Sequence, residues 1–223
     1  GPGRTTDGTT VCSANLTISA SSCRDLSVST TLDTNVTSIG TCFNFTADNI
    51  ELDCAGFGIT YGTVNAGNAV TGNGRSNVTV RNCFMIDNST TNARGIAVNF
   101  TSVDDSLIIN NTIDTNGTTD NYGIQLLGSS RNQVVNNTIR PFGSGVNNWG
   151  INVVSGARDN NISGNTIGTR GTTDNYGIRI STNSDRNVVS AANNITTTGT
   201  GANNFGIYLA TRSFGINVTN NII

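Results

Sequence analysis

Two aspartates raise the question of chemistry first. Asp120 and Asp174 stand in near-identical segments, Gly117-Thr-Thr-Asp-Asn-Tyr122 and Gly171-Thr-Thr-Asp-Asn-Tyr176. A pair of carboxylates is the working equipment of a glycoside hydrolase, one acting as acid and the other as base or nucleophile. The same residues are also ordinary turn formers, because short polar side chains cap bends, and capping is the role expected of them here. Each of these segments ends in an aromatic residue. Tyr122, Trp149, Tyr176 and Phe205 each precede Gly-Ile, and Arg179 and Tyr208 share two of these strands. Such a set could hold the flat faces of sugars. Alternation along a strand, however, puts each ring on the same side as the Ile two residues later. That predicts an aromatic stack at a core corner, largely buried.

Other chemistries are short of equipment. The chain has no His and no Lys, so the usual general base and the commonest metal ligand are both missing. Only 12% of residues are charged and the net charge is −2, which leaves no basic footprint for nucleic acid. No metal site and no cofactor are expected. Asp104, Asp105, Arg131, Arg158, Asp159, Asp185 and Arg186 recur at one corner with mixed signs, which reads as a surface ion ladder rather than a calcium site. Twelve Asn-x-Ser/Thr sequons occur, little more than chance in a chain so rich in Asn, Ser and Thr. No apolar run is long enough to span a membrane.

The elements that would position these residues are set by a repeat. The pattern (Val/Ile)-x-x-(Asn/Cys)-x-(Ile/Met) centres on Cys83, Asn111, Asn137, Asn165, Asn193 and Asn221, spaced 28, 26, 28, 28 and 28, the Asn193 copy carrying one extra residue. A second pattern, Gly-Ile-x-(Leu/Val/Ile), interleaves with it at Tyr122, Trp149, Tyr176 and Phe205, with an earlier non-aromatic copy at Arg94-Gly-Ile-Ala-Val98. Both are short, β-branched and bounded by Gly, Asn, Ser or Thr, which is strand chemistry. No amphipathic helix fits between them. The expected fold is therefore all-β: a right-handed parallel β-helix of about eight coils with roughly 28 residues each, forming a rod on the order of 40 Å long. Ile124, Ile151, Ile178 and Ile207 should form one interior stack. Leu126, Val153, Ile180 and Leu209 should form another, and Ile113, Ile139, Ile167, Ile195 and Ile223 a third. Asn111, Asn137, Asn165, Asn193 and Asn221 should form a hydrogen-bonded ladder, aided by the tolerance of Asn for a left-handed bend. The outward residues of the Gly-Ile strand should be Ala97, Gln125, Asn152, Arg179 and Tyr208. No carboxylate is among them, so an enzyme is not expected.

The five cysteines, 12, 23, 42, 54 and 83, lie early in the chain and lack metal-site spacing, so they read as disulfides made in an oxidising compartment. Cys54 and Cys83 are 29 residues apart, one coil, and stacked positions approach within disulfide range. Gly1-Pro2-Gly3 looks like a tag remnant. Residues 4–42 depart from the repeat and read as an N-terminal cap with a first coil, and residues 43–223 as the β-helix repeats. The chain stops inside a repeat motif, at Asn220-Asn-Ile-Ile223, so a truncated stack is expected, with end-to-end self-association.

The Asn-x-Ile and Gly-Ile-x-Leu patterns resemble the pectin-lyase-like superfamily of right-handed parallel β-helices. They are more similar still to the NosD-like repeat domains of surface or periplasmic proteins. The stretches Thr41-Cys-Phe-Asn-Phe-Thr-Ala-Asp-Asn-Ile-Glu-Leu-Asp-Cys54 and Asn77-Val-Thr-Val-Arg-Asn-Cys83 are similar to the first coils of such domains. The resemblance spans about residues 23–223. It implies pairing of Cys23 with Cys42, leaving Cys12 over. It also implies a place outside the cytoplasm: extracellular, cell-surface or periplasmic. The expected function is a non-catalytic structural or adhesive module of a larger protein. The alternative is a carbohydrate-binding or lyase/hydrolase-like domain. Expected partners are a polysaccharide or other surface proteins.

Overall fold

The computed structural model describes residues 16–89, 95–210 and 212–223. Cys12, the sequon Asn15 and Arg94 of the earlier Gly-Ile copy lie outside them. The chain winds as a parallel β-solenoid of about seven turns, with about 27 residues per turn. Sheet A has nine strands, from Thr17–Ala20 to Asn217–Val218. Sheet B has eight, from Arg24–Leu26 to Phe205–Leu209, and sheet C seven, from Val36–Thr37 to Asn194–Gly199. Each full turn visits A, then C, then B. Every strand pairs in parallel with its counterpart one turn away, and no described residue is helical.

The solenoid falls short of eight full turns at its start. Thr17 pairs with Ser29 only 12 residues later, whereas later partners such as Glu51 and Thr79 lie 28 apart. Residues 17–37 already contribute a strand to each sheet.

The core is built by vertical repetition. Phe43, Val70, Val98, Ile124, Ile151 and Ile178 stand above one another in sheet B and are all fully buried. The neighbouring stack runs Phe45, Gly72, Phe100, Leu126, Val153 and Ile180. Phe45 and Phe100, on either side of Gly72, meet edge to face at 6.3 Å, and a Cβ on Gly72 would come closest to Val103 Cγ2, at 3.2 Å. In sheet C the stack is Ile59, Met85, Ile113, Ile139, Ile167 and Ile195. The same stacks lose their cover in the last coil, where Leu209 and Ile223 are exposed.

Two disulfides staple the first turns. Cys23–Cys42 and Cys54–Cys83 join residues whose Cα atoms are 4.6 and 4.7 Å apart, the separation of adjacent rungs. They suit an oxidising compartment. No described helix is long and apolar enough to cross a membrane.

Candidate functional site: the outer face of sheet B and its corners

The register of sheet B moves one expected position. Asn99, not Ala97, pairs with Gln125, because Ile96 lies opposite Tyr122 and Val98 opposite Ile124. Ala97 is fully buried. The outward column therefore reads Asp25, Asn44, Thr71, Asn99, Gln125, Asn152, Arg179 and Tyr208.

This column satisfies itself. Gln125 donates from Nε2 to Asn99 Oδ1 at 3.0 Å, Asn152 from Nδ2 to Gln125 Oε1 at 3.2 Å, and Arg179 from Nη1 to Asn152 Oδ1 at 3.1 Å. Asn44 Nδ2 donates to Asp25 Oδ1 at 3.1 Å. Gln125 and Asn152 are buried although they point outward, covered by their neighbours on the face. The only carboxylate of the column, Asp25, stands at its far end beside a shallow hollow of about 630 Å³ lined by Arg24, Asn44 and Thr71.

The aromatic row lies along the same face. Tyr122 and Trp149 stack at 4.4 Å with their planes 2° apart, Trp149 and Tyr176 at 5.8 Å, and Tyr176 and Phe205 at 6.0 Å. Tyr208 lies against Tyr176 at 4.6 Å, and the Arg179 guanidinium stands 4.6 Å over the Trp149 ring. Tyr122 and Tyr176 are each 7% exposed, Trp149 is half-buried, and Phe205 is exposed. The rings cover one another rather than entering the continuous apolar core, to which none of them belongs.

Strand alternation fails here because of the glycine between each ring and its Ile. A Cβ on Gly123, Gly150, Gly177 or Gly206 would collide with Cγ2 of Ile139, Ile167, Ile195 or Ile223, respectively. The glycine takes the inward place itself, two consecutive residues face the core, and the ring before them is turned out.

Asp120 and Asp174 are turn residues. Both adopt left-handed φ, at 55° and 56°, as does Asn147 between them at 61°. Asp120 Oδ1 accepts from Asn147 Nδ2 at 2.9 Å, and Asp174 Oδ1 accepts from the Tyr176 hydroxyl at 3.1 Å. The Trp149 indole N–H donates to the Asp174 carbonyl oxygen at 2.8 Å. Burial, then the Asp174 hydrogen bond, push the Tyr176 hydroxyl up to about 12. Asp174 thus anchors two members of the aromatic row, Tyr176 through its carboxylate and Trp149 through its carbonyl oxygen.

The expected ladder forms, with a different bend. Asn111, Asn137, Asn165, Asn193 and Asn221 pass an amide hydrogen bond from rung to rung, at 2.8–3.0 Å. The left-handed residue is the one before each: Asn110, Asn136, Gly164, Ala192 and Asn220. Cys83 holds the preceding rung, and its N–H donates to Asn111 Oδ1 at 3.0 Å.

Sequence reasoning missed two further ladders of the same design. Asn121, Asn148, Asn175 and Asn204 link at 2.6–2.8 Å where sheet C passes into B. Asn132, Asn160 and Asn187 link at 2.9–3.1 Å where B passes into A. At each corner a left-handed residue is followed by an inward Asn that satisfies buried backbone groups. The signal was present, since an Asn precedes every ring of the aromatic row.

The mixed-charge corner supplies the left-handed residues of the third ladder, Arg131, Asp159 and Arg186, and Asp105 stands likewise before Ser106, whose N–H donates to Asn132 Oδ1. Arg131 pairs with Asp105 at 2.6 Å and with Asp104 at 3.1 Å, and Arg186 pairs with Asp159 at 2.6 Å. Hydrogen bonds from these arginines hold the Asp105 and Asp159 carboxyls below the usual range. Arg158 instead donates to the Gly156 carbonyl oxygen, and Asp185 accepts the Phe214 N–H.

No group of three or more Cys, Asp or Glu among the described residues is placed to hold a metal ion. No protein-family model, curated protein or solved structure matches the chain, which stands as a parallel β-solenoid by its own geometry.

Proposed function

We propose that this chain is a non-catalytic structural or adhesive module of an extracellular, cell-surface or periplasmic protein, related in design to the NosD-like members of the pectin-lyase-like β-helices. The observation that carries this reading is the self-satisfied outer face of sheet B. Its amides bond to one another from Asn99 to Arg179, and its rings stack on one another. A face whose side chains are linked from Asn99 to Arg179 and whose rings stack on one another is suited to holding shape. Both disulfides and the polar, low-charge composition fit service outside the cytoplasm. Partners under this reading are other surface proteins, a polysaccharide, or a second copy meeting the exposed Leu209, Phe214 and Ile222.

The test places the chain between two fluorescent reporters and measures their separation by energy transfer and X-ray scattering. A fixed separation, unchanged by added polysaccharide, is expected. A second reading, carbohydrate binding, is favoured by the Trp149–Arg179 and Tyr176–Tyr208 contacts at the C-terminal part of the face. Glycan-array retention that Trp149→Ala abolishes would establish it in place of the first.

A further inference from the structure

Two buried oxygens without a hydrogen-bond partner, Asp87 Oδ2 and Asn121 Oδ1, border one point at the corner between sheets C and B, the place where Gly95 would carry a Cβ. Asp87 ends the strand Phe84–Asp87 and is 3% exposed. Its Oδ1 is engaged, accepting the Ser89 N–H at 3.0 Å, and the Asn116 backbone also bonds the carboxyl. Its Oδ2 presses on the place where Gly95 would carry a Cβ, and Asn121 Oδ1 lies 3.2 Å from that same place.

The register explains the arrangement. Ile96 pairs with Tyr122, so Gly95 lies one rung below Asn121, where the ladder would have its next member. In the later rungs each Asn donates from Nδ2 to the Oδ1 of the next. Asn121 Oδ1 is thus left facing a rung that has no side chain, and the Asp87 carboxyl reaches across to fill it. Two oxygens can hydrogen-bond only if one carries a proton.

We propose that Asp87 is held as a carboxylic acid whose Oδ2–H donates to Asn121 Oδ1, closing the first rung of this ladder and making the corner sensitive to pH. The surroundings favour the proton. Burial raises the Asp87 pKa first and foremost, against the pull of the Ser89 and Asn116 backbone bonds. From the preceding strand it faces Tyr61, fully buried with its own hydroxyl unpartnered. From the following strand come Asp114, already paired with Arg140 at 2.7 Å, and Thr115. Gly62 and Gly95 close the remaining sides. Among the described residues, no cation is paired with Asp87.

The sign follows from the raised pKa. The rung's stability is fully present below the unfolded carboxyl's ordinary value and is lost as pH rises through the folded value. Asp105 and Asp159, whose values are lowered, act in the opposite direction and in a lower window, so they do not mask it.

Thermal unfolding of the wild type, Asp87→Asn and Asp87→Ala from about pH 4 to about pH 8 tests this. Asp87→Asn restores an amide donor at the rung. The wild type is expected to lose Tm as pH rises. Asp87→Asn should stay level and lead by ~2–4 °C at the alkaline end, and Asp87→Ala should be the least stable in acid. An infrared carbonyl band of a protonated acid should be present in the wild type and absent from Asp87→Asn, a readout that stands even if a variant folds poorly. A wild type that gains stability relative to Asp87→Asn as pH rises would overturn the proposal. So would the absence of the acid band, or stabilisation by calcium chloride that requires Asp87, which would mean a carboxylate with a cation.

Discussion

The first turns and the later turns of this solenoid solve the same problem with different chemistry. Each turn must be held in register with the next, and its bends bury backbone groups that need partners. Between residues 23 and 100 the chain uses covalent staples and large side chains. Two disulfides join adjacent rungs, and Phe43, Phe45, Tyr61, Met85 and Phe100 fill the interior. From Asn111 onward it uses Val, Ile and Leu stacks with three asparagine ladders. The change occurs at one position, for Cys83 is a disulfide partner downward and a ladder rung upward. A regular repeat permits the second solution, because identical residues fall in line only when successive turns have nearly equal length. The irregular opening turns cannot align a ladder, and a disulfide needs just two residues in range.

The largest effect should come from breaking a ladder at its middle. Asn137 Oδ1 accepts the Asn111 backbone and amide N–H groups, and its Nδ2 donates to the Ile108 carbonyl oxygen and to Asn165 Oδ1. Asn137→Ala leaves several of these buried groups unpaired, a loss on the order of 4 kcal/mol. Chemical denaturation should register it, and hydrogen exchange should rise around residues 108–139 before it rises near the disulfides.

Reduction is the reciprocal perturbation. Loss of Cys54–Cys83 should cost about 3 kcal/mol and loosen the opening turns first. The comparison sharpens with a ladder extension. In a chain carrying Cys54→Ala, Cys83→Asn should be more stable than Cys83→Ser by about 1 kcal/mol, because the new amide can donate to Asn111 Oδ1. Equal stability of the two would mean that a rung at this position contributes nothing without a neighbour below it.

Gly150→Ala tests the bend that turns the aromatic row outward. The added methyl meets Ile167 Cγ2 and lies 2.5 Å from the Gly177 carbonyl oxygen, so a loss of about 2 kcal/mol is expected. Near-ultraviolet circular dichroism should change as the Trp149 stack is disturbed. The smallest effect belongs to the exposed charges. Arg186→Gln removes the Asp159 pair, and its small destabilisation should vanish in molar salt.

The period of the apolar residues determined the architecture without any structure. Ile and Val recurring every 26–28 residues, with no helical stretch between them, can be buried together only by stacking strands in parallel. The Cys54–Cys83 bridge followed from the same period, since residues one turn apart must be close. The side of the sheet on which the rings lie was decided by tertiary packing alone. Alternation assumes that every strand residue has a side chain to place, and Gly123, Gly150 and Gly177 have none. The Ile of a neighbouring strand occupies the inward space instead, and the ring before each glycine turns out. The displacement of Ala97 by Asn99 has a similar origin, for a motif can be aligned on its glycine in sequence, but hydrogen-bonded register aligns it on the backbone. Asp87 was invisible for a related reason. Its proposed role rests on a missing side chain at Gly95, which leads into a strand of another sheet, and only the closed turn brings the two together.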